Sequence, residues 1–166
     1  MRKRRLSKKA GLPPGSIVYT GSETGDTIID MLVYDDVNFN VYTNISVQDA
    51  IRFQGKNTTN WIIVRGFKQH DNLEKMAEHF EIQPLIFEDI FNVDHMPKVE
   101  DLDKSIFITL KNLSWLEKDQ SIVSEQISLF LGPNVLISFQ EKGDNVFGPI
   151  IERLNAGKGK GRYRQE

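Results

Sequence analysis

Residues 61–64, Trp-Ile-Ile-Val, form an uninterrupted apolar run. Four residues are too few for a buried helix, and on a strand successive side chains point to opposite faces. A strand carrying this run is apolar on both sides, so it needs packed material above and below. The remaining segments supply it. Residues 17–19, 27–34, 37–42, 105–113, 122–131 and 135–139 read as strands, with 37–42 pairing against 27–34. Gly132-Pro133-Asn134 is a tight turn joining the last two. Residues 47–53 read as a helix. So do residues 71–81, with Leu73, Met76, Ala77 and Phe80 as the apolar stripe and Asp71 with Glu74 as a start resembling a capping box. A third helix spans 84–91, with Pro84 at its first position. Asp144 is placed to cap a closing helix that buries Val146, Phe147, Ile150, Ile151 and Leu154. This order predicts an α/β (α+β) fold, a mixed, partly antiparallel sheet sandwiched by helices. Residues 1–15 form a basic, Pro/Gly-containing lead-in with Pro13-Pro14-Gly15. Residues 16–156 form one domain, and 157–166 form a Gly/basic tail.

The chain has 166 residues, enough for one domain with a real core, and its 39% hydrophobic and 27% charged content is that of a globular protein. Having no cysteine excludes disulfides, thiolate metal sites and cysteine nucleophiles. Charge is segregated. Of 21 Lys and Arg, six lie in residues 1–9 and four follow Gly157, leaving 11 between them; 22 of the 23 acids share that middle stretch, for a net of about −11. An acidic body of this kind attracts cations and repels nucleic acid. Among the basic end residues only Tyr163 is aromatic, so nucleic-acid binding is not expected. No apolar run approaches the roughly 20 residues needed to cross a bilayer, and the basic amino terminus leads into no apolar stretch. The chain as given is expected to be soluble.

Few motifs point to catalysis. Gly157-Lys158-Gly159-Lys160-Gly161 lacks the Ser/Thr and the strand–loop–helix context of a phosphate-binding loop. Asn57-Thr58-Thr59 matches a glycosylation sequon but reads as a loop. His70, His79 and His95 are scattered, with no helical i, i+4 pair, and read as surface residues rather than zinc ligands. No Gly-x-Ser-x-Gly elbow occurs. The chain is not expected to be an enzyme.

In the helix over 84–91, Ile86, Phe87, Ile90 and Phe91 share one stripe at about 100° per residue. Glu88 and Asp89 fall on the opposite side, flanking Leu85 and Asn92. Adjacent helical residues diverge by about 100°, which suits poorly a general acid/base pair converging on one atom. A hard divalent cation, which keeps several waters and takes one or two carboxylates, tolerates the arrangement better. A partner subunit covering Leu85 is the other reading, and a solvated acidic face is the plain one.

Five strings occur in order: Lys9-Ala-Gly-Leu-Pro-Pro-Gly15 with Val18-Tyr19-Thr20-Gly21; Pro84-Leu85 with Glu88-Asp89-Ile90; Pro97-Lys98-Val99-Glu100; Ser124-Glu125-Gln126-Ile127-Ser128; and Phe139-Gln140-Glu141-Lys142. Together they resemble the amino-terminal cytoplasmic domain of the CorA family of magnesium and cobalt transporters, over nearly the whole chain. The resemblance implies a layered α/β domain of a homopentameric channel. In such a channel this domain sits on the cytoplasmic side of the cell (inner) membrane, ahead of a long stalk helix and two transmembrane helices. That second half, with its Gly-Met-Asn signature, is not in this sequence. The chain thus resembles the soluble domain cut before the stalk and is not expected to conduct ions by itself.

The resemblance further implies divalent cations bound between neighbouring subunits that hold the pore closed. The family's acidic pair maps onto Glu88 and Asp89, and a backbone contribution maps onto Leu12. The expected ion is Mg2+, with Co2+, Ni2+ or Ca2+ as alternatives, and the expected partners are identical subunits. Other carboxylates of the site belong to the long helices, so binding by this chain alone should be weak. The alternative is a stand-alone soluble binding module with the same fold and no transport role.

Overall fold

The computed structural model describes residues 18–21, 25–142 and 144–157. The elements run β1 (Ile28–Tyr34), β2 (Phe39–Tyr42), α1 (Val47–Arg52), β3 (Thr59–Arg65), α2 (His70–His79), α3 (Pro84–Phe91), β4 (Lys98–Asp101), β5 (Ile106–Leu116), β6 (Ser121–Gly132), β7 (Val135–Gln140) and α4 (Gly148–Asn155). The strands form one seven-stranded sheet in the order β2-β1-β3-β7-β6-β5-β4. β3 and β7 pair in parallel, and the other neighbours pair antiparallel. The expected mixed sheet with helices on both faces is what the chain forms.

β3 occupies the middle, as its apolar run requires. Asn60 to Val64 are all buried. Ile62 and Val64 join the main core with Met31, Ile137 and Phe139, under α1, α2 and α3. Trp61 and Ile63 face the other way, with Leu32, Tyr34 and Leu154. There the Trp61 indole Nε1–H donates to Ser138 Oγ at 3.0 Å, which satisfies its polar edge within an apolar layer. α4 covers part of this second face, and Ile106 and Leu131 stay 38% and 48% exposed beyond it.

α2 and α3 are joined by a Schellman turn. Ile82 N–H donates to Ala77 O and Glu81 N–H to Glu78 O, with Glu81 at φ 55°. Pro84 then occupies the first turn of α3, where its missing N–H costs nothing. Ile86, Phe87, Ile90 and Phe91 are all buried, as the periodicity predicts, while Leu85 is exposed.

Three local expectations are corrected, and one strand is added. Val18 and Tyr19 form no strand, and Ile17 lies outside the described residues. The segment is tied instead by Thr20 N–H to Phe91 O (3.2 Å) and by the Tyr19 ring against Phe67. Asp71 does not cap α2. The helix starts one residue earlier, behind Gln69, whose N–H donates to Thr27 Oγ1 (3.0 Å), so a tertiary contact sets that end. Asp144 does not cap α4, which begins behind Phe147. The later start rotates the buried stripe onto Phe147, Ile151 and Leu154 and leaves Ile150 half exposed. Finally, Lys98–Asp101 is a strand, β4, too short and too charged to announce itself.

Candidate functional site

The last turn of α3 holds two carboxylates, Glu88 and Asp89, and no basic residue of its own. A helix carries partial negative charge at this end, so the carboxylates add to it. Basic side chains from elsewhere gather there. Lys98, carried by β4, places Nζ 2.6 Å from Asp89 Oδ2 and also pairs with Glu100. His95 Nε2 lies 3.2 Å from Asp89 Oδ1. Lys111 of β5 donates to Val93 O at 2.5 Å and to Gln126 Oε1 at 3.2 Å. Neither carboxylate stands in open solvent. Both residues are half-buried, and the Asp89 side chain is 16% exposed.

The Lys98 ammonium is fixed rather than free. Its backbone N–H donates to Thr109 Oγ1 at 3.2 Å, and Nζ sits 5.9 Å from the centre of the Phe107 ring. Burial works against its charge, but hydrogen bonds to Asp89 and Glu100 outweigh that, and its pKa is raised. Lys111 goes the other way. Burial pulls its pKa down, against the smaller opposing pull of Asp94 and Glu141.

Residues from the other strings meet behind this helix end. Gln126 Nε2 donates to the Asp89 backbone oxygen at 3.1 Å, satisfying a carbonyl of the final turn. Glu125 and Glu141 are both buried. Glu125 accepts from Lys142 N–H at 2.8 Å, and Glu141 accepts from the Tyr19 hydroxyl at 2.5 Å. Burial first, then the two carboxylates, holds the Tyr19 hydroxyl well above its usual range.

The Glu125 carboxyl is also pushed up. Burial is the main cause, opposed by the Lys142 N–H and reinforced by Asp144 and Glu141. The folded chain therefore holds this proton more tightly than the unfolded one. Its contribution to stability is present below the ordinary value of 4.5 and lost as pH rises through the folded value. Glu125→Gln is accordingly expected to raise the melting temperature at pH 8 more than at pH 5. A gain of about 1 kcal/mol, or about 2–4 °C in a domain this size, is expected. A melt equally shifted at both pH values contradicts this.

The structure thus brings Glu88 and Asp89 to one helix end and surrounds Asp89 with Lys98 and His95. Leu12 lies outside the described residues. His79 is exposed, as the scattered-histidine reading expects; the exposed His70 keeps its ring 6.2 Å from that of Phe91 at this end, and His95 Nε2 lies beside Asp89. Lys98, Glu125, Gln126 and Glu141 lie within the strings shared with the family, and nothing in their spacing points to a role. The exception is the alternation of β6, which puts Gln126 on the α3 side.

The oxygen donors present suit a hard cation that keeps most of its waters. Among the described residues, no group of three or more His, Cys, Asp or Glu forms a cage for a metal ion, and no helix is long and apolar enough to cross a membrane.

Comparison with known proteins bears on this arrangement. Residues 56–165 match the family model described as CorA-like Mg2+ transporter protein. The cobalt/magnesium transport protein CorA of Thermotoga maritima is 38% identical over 159 residues, covering 96% of this chain and 45% of that protein. The chain thus spans about half the length of that curated relative. Among solved structures, the soluble domain of CorA from Methanocaldococcus jannaschii is 15% identical with TM-score 0.51, covering 76% of this chain and 46% of that one. The ZntB cytoplasmic domain from Vibrio parahaemolyticus is 14% identical with TM-score 0.55, covering 80% and 51%. At these identities the two structures support the fold alone.

Proposed function

The chain belongs to the CorA family, and from that premise we propose that it is the cytoplasmic, divalent-cation-sensing regulatory domain of a membrane transporter for Mg2+ or Co2+. Asp89 and Glu88, with the Leu12 backbone, hold a hydrated Mg2+ between neighbouring identical subunits of a pentamer. Co2+, Ni2+ or Ca2+ would take the same oxygen donors.

The observation that carries this reading is the end of α3, where two carboxylates add to the helix's negative pole and already draw a lysine onto Asp89. Exposed Leu85 lies on the same outward side of the helix, where a neighbouring subunit would cover it. Coupling follows from linkage. A cation bridging carboxylates of two subunits offsets their repulsion and favours the packed, closed arrangement; without it the like charges push the ring apart. Only a ligand that binds the two states with different affinity shifts the balance, and a shared site does that.

Thermal unfolding with Mg2+ and with chelator tests the reading. The wild-type chain should gain about 1.4 kcal/mol at ten times its Kd, and Asp89→Asn should lose that gain. In a membrane-spanning protein carrying this domain, Asp89→Asn should weaken inhibition of transport by Mg2+. Inhibition unchanged by the substitution refutes the site.

A further inference from the structure

Asp89 is never without a cation in this structure, because the chain supplies one. Lys98 Nζ lies 2.6 Å from Oδ2 and is directed there by β4, whose pairing with β5 sets Lys98 opposite Thr109. The ammonium is shared with Glu100, whose side chain is more exposed, at 37% against 16% for Asp89. We propose that Lys98 is a tethered competitor for Asp89, occupying the carboxylate in the ion-free state and yielding it when a divalent cation binds. This inference rests on the reading that Asp89 holds the cation.

The physical argument is an exchange of positive charge at one half-buried carboxylate. A bare Asp89 at the negative end of a helix would be poorly solvated. Lys98 offsets that, so the ion-free state is stabilised and the apparent cation affinity is lowered. Displacement does not strand the ammonium, because Glu100 remains its partner at a more exposed position. Lys98 therefore sets the concentration range over which the site fills, while Glu100 sets how readily Lys98 leaves.

Opposite shifts in two variants distinguish this role from a merely structural one. The probe is Mn2+, followed by paramagnetic broadening of amide signals in α3 of the wild-type chain, Lys98→Met, Glu100→Gln and Asp89→Asn. Fold is checked for each from its dispersed spectrum. Lys98→Met should fill at roughly three- to tenfold lower Mn2+, the tenfold limit corresponding to about 1.4 kcal/mol. Glu100→Gln, which leaves Lys98 to Asp89 alone, should need more Mn2+ than wild type. Asp89→Asn should lose the broadening.

If Lys98→Met and Glu100→Gln shift the midpoint in the same direction, or neither shifts it while Asp89→Asn abolishes binding, the competitor role is overturned and the site stands. Should Lys98→Met fail to fold, a midpoint unchanged or lowered in Glu100→Gln overturns the role by itself. Broadening that survives in Asp89→Asn, or is absent from both the wild-type chain and Lys98→Met, overturns the site and the inference together.

Discussion

Phe91→Ala is expected to lower stability by about 3–5 kcal/mol, a large share of the roughly 5–15 kcal/mol that a domain usually has. Phe91 is fully buried, and its ring meets Phe67 and Phe87 at 5.0 Å each and His70 at 6.2 Å between centroids. Its place is the end of α3, so the cavity would open beneath the turn that carries Glu88 and Asp89. Its backbone oxygen also holds Thr20, which steadies the segment leading to Tyr19. Phe91→Leu, which keeps most of the volume, should cost about 1–2 kcal/mol. Urea denaturation of the three proteins measures both effects. A midpoint for Phe91→Ala within about 1 kcal/mol of wild type would mean that this ring cluster is not the anchor of α3.

Asn60→Ala is expected to cost about 2–3 kcal/mol through buried polar groups left unpaired. Asn60 is fully buried at the start of β3. Its Nδ2 donates to Gly55 O (2.8 Å), Asn134 O (2.9 Å) and Thr58 O (3.3 Å), and its Oδ1 accepts from Gly55 N–H at 2.9 Å. One amide thereby ties the loop before β3 to the β6–β7 turn, whose partner β7 runs parallel to β3. Asn60→Asp should be no milder, since a carboxylate oxygen would face three carbonyl oxygens. Thermal melts give the size of the loss, and faster amide exchange at Gly55 would locate it. A melt unchanged in Asn60→Asp would show that the donor side of the amide contributes little.

These sites show unequal legibility. The α3 stripe was readable because a helix repeats every 3.6 residues, so burial of Phe91 follows from the spacing of Ile86, Phe87 and Ile90. Strand β3 was readable from its apolar run. The role of Asn60 was not, because a single polar residue at the edge of such a run looks like a loop residue, and its partner Asn134 is 74 positions away. Capping by Asp71 and Asp144 failed for a related reason. Both are plausible local caps, but the helix ends were set by Thr27 against Gln69 in one case and by packing of Phe147 against Trp61 in the other.

By itself the sequence determined most of the element types, the both-face burial of the central strand, the outward placement of Leu85 and the family likeness. All of these depend on residue type at short, regular spacings. Only the tertiary structure decided what surrounds the acidic pair. Lys98 reaches Asp89 because the chain turns back into β4, Gln126 reaches its carbonyl from a strand 37 residues on, and Tyr19 meets Glu141 across 122 residues. Charge acts over a few ångströms in space and is indifferent to separation along the chain, so the partners of a carboxylate are fixed by packing.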